Sequence, residues 1–393
     1  MKTPDILANG SLLSKTIRLV RFPLIVGVVF GHNQFRSLQV RGAAVSMDMS
    51  PWLSGLAHAV TSVLPYMTVP LFFFISGFLF FRKPGFDKAM WRKNLESRVH
   101  SLLIPYLLWN FIGFLVLLVE LHPRFASVFP QLKDYRLDIV KFLGLFLGRP
   151  LHDAAADPRL YPINFPFWFI RELMLMGLAA PLVHWCASRL KWFFVAALGA
   201  GWFFALWQTP VFEPRTVFFF SFGACCGIHG VDFAQWARRA GWTLWVYPLL
   251  VVLDVLTRDQ GCNFWFHRGG ILVGGGTALC ITARLAARPG VKGNRFLDDA
   301  SFFVFALHGL FMPKFKKAVV LLSHPTSPLL QVFLLFFIPI ATIALCLAAY
   351  AIVAKCSPTL AAVLSGGRIM PRSPASGGAQ PPSTVPPAAS AAQ

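Results

Sequence analysis

Val20-Arg21-Phe22-Pro23-Leu24-Ile25-Val26-Gly27-Val28-Val29-Phe30-Gly31-His32 holds two ionisable residues, Arg21 and His32, on either side of an uncharged run. As a helix, an offset of eleven residues is almost three turns, so the two side chains lie on nearly one face, roughly 16 Å apart along the axis. Arg21 then marks a membrane surface and His32 sits about half a bilayer deep. Ionisable groups at such depth are costly, face a protein interior or an aqueous cavity, and raise a functional-site hypothesis. A plain interhelical hydrogen bond is the competing role for the histidine.

Composition names the solvent. The 393 residues are 56% hydrophobic, 15% aromatic and only 13% charged, with a mean hydropathy of +0.61. That is more apolar surface than a soluble core of this size needs, and it predicts an all-α polytopic membrane protein. The formal net charge of +20 is not a nucleic-acid signature, because the basic residues fall between apolar stretches and no binding motif accompanies them. Cys186, Cys225, Cys226, Cys262, Cys280, Cys346 and Cys356 show no paired spacing or Cys/His array for zinc, so no metal is expected.

Spans of about twenty apolar residues number about ten: 16–35, 61–81, 101–121, 165–187, 191–209, 213–230, 242–257, 268–286, 299–322 and 329–354. The first is followed by Gln34-Phe35-Arg36 rather than a small-residue cleavage site, so it reads as an uncleaved span. Placing the amino terminus inside gives the cytoplasmic segments about twenty Lys and Arg against about eleven in the opposite loops. Ten spans with both termini cytoplasmic follow from that asymmetry, and the inner membrane of the cell is the expected location. Lys314, Lys316 and Lys317 then lie near the outer interface, where they snorkel or face a polar cavity.

The organisation expected is a cytoplasmic segment over 1–15, a membrane domain over 16–355, and a disordered cytoplasmic tail over 356–393 rich in Pro, Ser and Ala. Between the third and fourth spans, 137–146 reads as an amphipathic helix on the outer surface. Asp153, Asp157, Pro158, Arg159, Tyr161 and Asn164 form a polar loop suited equally to holding a sugar or to plain connection. Ser76 and Gly77 read as close-packing residues, and His184, His229, Asp254 and Cys225-Cys226 as structural.

Arg21 and His32 with ten residues between them resemble the Arg-x10-His signature of the acyltransferase-3 family of integral membrane O-acyltransferases. Four further blocks resemble that family in order: Val69 to Leu79 with Ser76-Gly77-Phe78, Arg98 to Tyr106 with Pro105-Tyr106, Phe167-Trp168-Phe169-Ile170-Arg171, and Ala300 to His308. The resemblance spans about 16–355. Phe305 stands where the family often has Tyr, and a carboxyl-terminal esterase-like domain of some members is absent from the sequence, which implies a stand-alone transferase.

The resemblance implies transfer of an acetyl or other short acyl group from cytoplasmic acyl-CoA, usually acetyl-CoA, to a hydroxyl of a cell-envelope carbohydrate or glycolipid. No permanently bound cofactor is implied, since the thioester is already activated; a base and oxyanion donors suffice. His32 is the base or a transient acyl-imidazole carrier. Arg21 and Arg98 suit CoA phosphate, Arg171 either substrate, and Glu172 the orientation of His32 or His308 or a buried salt bridge. Ser301 lies on the face of His308. Arg171 and Glu172 diverge by about 100° and each needs a partner elsewhere. A transporter or flippase of lipid-linked sugars, or an envelope-assembly scaffold, also accommodates many spans and buried charges.

Cysteine-accessibility labelling tests the charge asymmetry: positions near Lys88 and Arg239 should label from inside, and positions near Asp157 and Gln260 from outside. Outside labelling of 82–98 would overturn the donor-side placement of Arg21.

Overall fold

The computed structural model describes residues 12–34, 38–40, 43–45, 50–125, 132, 135, 137–148, 161–207 and 212–367. Residues 1–11 and 368–393 and Asp153, Asp157, Pro158 and Arg159 of the expected polar loop lie outside the described residues. The chain is a polytopic helical bundle with one small hairpin. Its elements are α1 Leu12–Gly31, β1 Leu38–Val40, β2 Ala43–Val45, α2 Pro51–His58, α3 Thr68–Phe81, α4 Lys88–Arg98, α5 Ile104–Glu120 and α6 Ile139–Leu147. There follow α7 Trp168–Leu178, α8 Ala180–Phe203, α9 Pro214–Ile228, α10 Phe233–Arg239, α11 Thr243–Thr257, α12 Asn263–Ala286, α13 Arg295–Ser323, α14 Pro328–Cys356 and α15 Pro358–Leu364. β1 and β2 pair antiparallel, Leu38 opposite Val45, a hairpin of three residues a side in an otherwise helical structure among the described residues.

Among the described residues, five continuous helices are long and apolar enough to cross a membrane: Pro51–Phe81, Lys88–Glu120, Asn263–Ala286, Arg295–Ser323 and Pro328–Cys356. Two pairs bent by 65° and 108°, Phe165–Leu178 with Ala180–Phe203 and Pro214–Ile228 with Phe233–Arg239, raise the number to seven if each is one span. α1 carries Lys15, Arg18 and Arg21, and α11 has 15 residues, so neither is among those five. Each of the ten apolar segments nonetheless contains a helix. The sequence boundary between the fourth and fifth is marked by Lys191, whose φ of 49° and ψ of −129° interrupt α8. Pro181, without an amide hydrogen, opens α8 just after the bend at Ala179.

Contacts fix the relative directions of the helices. Gly27 meets Thr68 and Gly31 meets Pro65, so α1 runs antiparallel to the 51–81 helix. Gly223 lies against the Phe74 carbonyl and Gly227 against that of Phe78, so α3 and α9 are parallel. Trp109 packs on Phe303 at 5.2 Å, and Lys314 pairs with Glu120 at 2.9 Å, so α5 and α13 are parallel too. Phe296 meets Tyr350 and Phe315 meets Phe337, which makes α14 antiparallel to α13. Ala187 accepts from His229 at one end of α8 while Trp202 stacks on Phe218 at the other, so α8 runs against α9. Arg21, Arg98, Lys191, Arg239 and Arg284 consequently share one end of the bundle, and His32, Glu120, Arg215 and Asp254 belong to the other.

Three boundaries differ from expectation. α1 starts at Leu12, within the segment assigned to the cytoplasm, and stops at Gly31, so His32 ends the helix rather than lying inside it. α15 falls inside the expected disordered tail; Ser357 caps it, Ala361 and Leu364 are buried, and the Leu364 carbonyl accepts from Trp109 Nε1 at 3.0 Å. A packed apolar face and a satisfied end offset the ordering entropy of those few residues. Between α5 and α7, the amphipathic stretch forms α6, with Asp138 Oδ1 accepting from Lys141 N at 2.7 Å.

Small residues set the closest approach. A Cβ at Gly77 or Gly223 would overlap the backbone carbonyls of Phe220 and Phe74 respectively, so α3 and α9 touch backbone to backbone. Gly223→Ala should force them apart and cost about 1–3 kcal/mol, whereas Gly275→Ala, which meets open space, should leave stability unchanged or raise it by up to about 1 kcal/mol. Thermal unfolding in detergent decides, and equal melting of Gly223→Ala and the parent would refute the close packing.

Candidate active site

His32 closes the last turn of α1, its amide donating to the carbonyls of Val28 and Val29, both at 3.2 Å. Its ring meets Phe165 edge-on at 4.6 Å and stacks on His308 at 5.4 Å with 26° between planes. His308 is fully buried on α13. Its Nδ1 lies 3.2 Å from the Val304 carbonyl, a distance that requires Nδ1 to donate and leaves Nε2 as an acceptor with no hydrogen-bond partner among the described residues.

Buried asparagines hold this pair in place. Asn33 donates to the Leu335 carbonyl at 2.9 Å, tying the end of α1 to α14. Asn164 donates through its backbone to Asn110 Oδ1 at 3.1 Å and through Nδ2 to the Ala306 carbonyl at 3.0 Å, tying the start of α7 to α5 and α13. Gly309 is required beside His308 because a Cβ there would collide with Asn164 and Pro166. Each such bond contributes about 1 kcal/mol and costs about 1–3 kcal/mol when one partner is left buried alone. Sequence reasoning named Asn164 only as part of a loop and missed Asn33 and Asn110; single asparagines in apolar runs were the available signal.

His32 opens onto a cavity of about 400 Å³ whose wall includes Tyr66, Tyr161, Trp168, Glu213 and Arg215. Arg215 is ion-paired with Glu213 and lies 5.9 Å over the Trp168 ring. Aromatic faces beside a charged pair suit a polyhydroxylated ligand with apolar ring faces. Tyr66, Glu213 and Arg215 were not foreseen as site residues, because no spacing in the sequence relates them to His32.

Glu172 is buried, and its carboxylate accepts from the Thr216 hydroxyl and from the Glu213 amide at 3.4 Å. It braces the start of α9, and so the Glu213–Arg215 pair, rather than orienting His32 or His308. Arg171 points away, Nη1 donating to the Leu147 carbonyl at 3.1 Å at the end of α6. The helical divergence of neighbours explains the split: one side chain goes to the core and the other to the rim.

The remaining expected site residues sit at the opposite end. Arg21 is within electrostatic reach of Asp298 and Arg18, roughly 16 Å from His32 by helical rise. Arg98 is half-buried with its guanidinium 4.6 Å over the Phe80 ring and its stem against Gly177. Ser301 is buried and donates back to the Leu297 carbonyl at 2.6 Å. One helix pair, α1 with α13, thus carries Arg21 and Asp298 at one end and His32 and His308 at the other. Among the described residues no three His, Cys, Asp or Glu side chains gather as a metal site.

A sequence model of the acyltransferase domain of the acyltransferase-3 family matches residues 15–351. The chain belongs to that family. This acyltransferase is also similar to the succinoglycan biosynthesis protein ExoH of Rhizobium meliloti (strain 1021), 26% identical over 379 residues that cover 91% of this chain and 93% of the relative. No solved structure matches it.

Arg171 and Glu172 give a direct test of the geometry. Arg171→Ala, whose Nη1 bond to the Leu147 carbonyl lies away from His32, should change acyl transfer less than about threefold and stability by under about 1 kcal/mol. Glu172→Ala should cost about 1–3 kcal/mol of stability by stranding the Thr216 hydroxyl and Glu213 amide. Transfer assays with detergent melting curves check both, and a near-inactive, well-folded Arg171→Ala would return that residue to the substrate site.

Proposed function

We propose that the acyltransferase moves a short acyl group, acetyl foremost, from cytoplasmic acyl-CoA to a hydroxyl of a cell-envelope carbohydrate or glycolipid, working in the inner membrane. The observation that carries this is the arrangement along α1: Arg21 about 16 Å back along the helix, toward the side rich in basic residues, and His32 just past its last residue under a cavity lined by aromatic and charged side chains. The printed name of the relative, a succinoglycan biosynthesis protein, supports a polysaccharide acceptor.

The parallel run of α1 and α13 supports ten crossings with both termini cytoplasmic. A parallel pair needs an odd number of crossings between its members, and the seven intervening apolar segments supply it. The basic loops near 82–98, 188–191, 231–241 and 284–298 then fall on the Arg21 side, as the positive-inside rule asks.

In the transfer, the acceptor oxygen bonds to the thioester carbonyl carbon, the carbon–sulfur bond breaks, and CoA leaves as thiolate. His32 takes the hydroxyl proton and returns it to the sulfur, a role worth typically 10²–10⁴-fold in rate. In the carrier variant, the imidazole itself first displaces the thiolate, and the acyl-imidazole then passes its acyl group to the sugar hydroxyl. His308 flanks His32 with its lone-pair nitrogen and serves as the second base which that variant requires. Arg21 and Arg98 hold the donor phosphates, and a guanidinium does so with paired hydrogen bonds that a lysine does not reproduce. Ser301, bonded to the Leu297 carbonyl, belongs with the donor end, and Arg171, bonded to the Leu147 carbonyl, with the rim.

His32→Ala and His32→Gln should abolish transfer while expression and insertion stay near the parent's. Arg21→Ala should weaken acetyl-CoA binding about ten- to a hundredfold by calorimetry, with Arg21→Lys in between. Substantial turnover by a folded His32→Ala protein would remove the mechanism, and unchanged donor affinity in both Arg21 variants would move the donor site to Arg98.

A further inference from the structure

The end of the bundle that holds His32 carries cations that topology does not ask for. The positive-inside rule accounts for Lys and Arg at the opposite end, yet Arg215, Arg268, Lys314, Lys316 and Lys317 collect around this one. The described acids here are already engaged. Glu213 pairs with Arg215, Glu120 with Lys314, and Asp259 with Arg258. Asp254 is shared by His58 at 3.1 Å and His267 at 2.8 Å. Glu172 accepts from Thr216 and the Glu213 amide.

Arg268 stands out. Its guanidinium stacks on Phe264 at 4.0 Å and faces Trp202 at 5.5 Å, which holds the plane still. Nη1 is buried with no hydrogen-bond partner among the described residues, and the charge that acts on it is the like charge of Arg215. Arg215 itself lines the cavity, and His267, next to Arg268 in the chain, packs edge-on against Tyr66 of the same wall at 4.8 Å. Across the cavity, Lys316 donates to the carbonyl of Gln34, another wall residue, at 2.8 Å, and its charge acts on His32. Two guanidiniums in mutual reach repel, and an anion between them converts that repulsion into two attractions. A stacked, planar guanidinium is preorganised for two parallel bonds to an oxyanion.

We propose that the acceptor taken by this cavity carries an oxyanion, the carboxylate of an acidic sugar residue or the phosphate of a lipid-linked saccharide, gripped by Arg268 with Arg215 while the reacting hydroxyl faces His32. This rests on the proposed acyl transfer and names its acceptor class. Trp168, Tyr66 and Tyr161 take the apolar faces of the sugar rings, and Arg268 reads the charge. Arg268 is a specificity residue and takes no part in the chemistry.

The full-length protein in lipid nanodiscs, given acetyl-CoA, is offered three acceptors: an oligosaccharide with one uronic acid, the same oligosaccharide with that carboxyl reduced to the alcohol, and the reduced oligosaccharide on a prenyl diphosphate. At least one anionic probe should be used about tenfold or more better in kcat/KM than the reduced free sugar, and whichever wins identifies the source of the charge. R268Q should erase that preference mainly through KM and leave use of the neutral probe unchanged, with R268K intermediate. The parent's preference needs no variant, so a poorly folding R268Q does not remove the test. Equal use of all three probes, or an equal loss on all three in R268Q, overturns this inference and leaves the acyltransferase reading standing. Transfer to none of the three overturns both.

Discussion

In hydrocarbon every backbone amide and carbonyl must find its partner within the protein, and an active site needs irregular backbone. This structure meets both demands with buried asparagines and threonines. α1 stops at Gly31 so that His32 can face a cavity, and Asn33 at once donates to the Leu335 carbonyl. The turn at 165–167 breaks regular helix beside His32, and Asn164 stitches it to α5 and α13. At the irregular turn of 64–67, Thr68 donates to the Pro65 carbonyl at 2.6 Å.

Close packing and site geometry are linked through α9. Gly77 and Gly223 let α3 and α9 meet at their backbones, which holds the start of α9 where its Thr216 reaches Glu172. Glu213 and Arg215 sit on that start and form part of the cavity wall. A glycine contact deep in the bundle therefore decides where a charged pair stands beside His32. The same logic places Arg98, whose stem lies on Gly177 of α7.

The two ends of α1 divide the chemical labour. Toward one side Arg21 faces Asp298; at the other, His32 meets aromatic rings, His308 and a wall of mixed charge. A thioester donor and a carbohydrate acceptor differ in this way, one polyanionic and the other amphipathic, so a site that serves both from opposite sides needs two unlike ends joined by one rigid element. A helix of 20 residues spans about 30 Å and supplies that rigidity.

Much of this was legible in the residues alone. Composition and run length determined a helical membrane protein, because sustained apolarity has no other use at this length. Each of the ten apolar segments contains a helix, and the amphipathic pattern of 137–146 also found α6. The Arg21 and His32 spacing survives because helical rise is a local property that packing does not alter. Partnership did not survive so well. Glu172 was expected beside a histidine and instead braces Thr216; Arg171 was expected in the site and instead meets Leu147; part of the supposed tail packs as α15. Asn110, Tyr66, Glu213 and Arg215 joined the site without any signal in spacing, since they come from segments far from His32 in the chain. Sequence determined which segments are helical and which way basic loops bias them, for those depend on neighbours along the chain. Only the tertiary structure decided what His32 faces, because that depends on which helices touch.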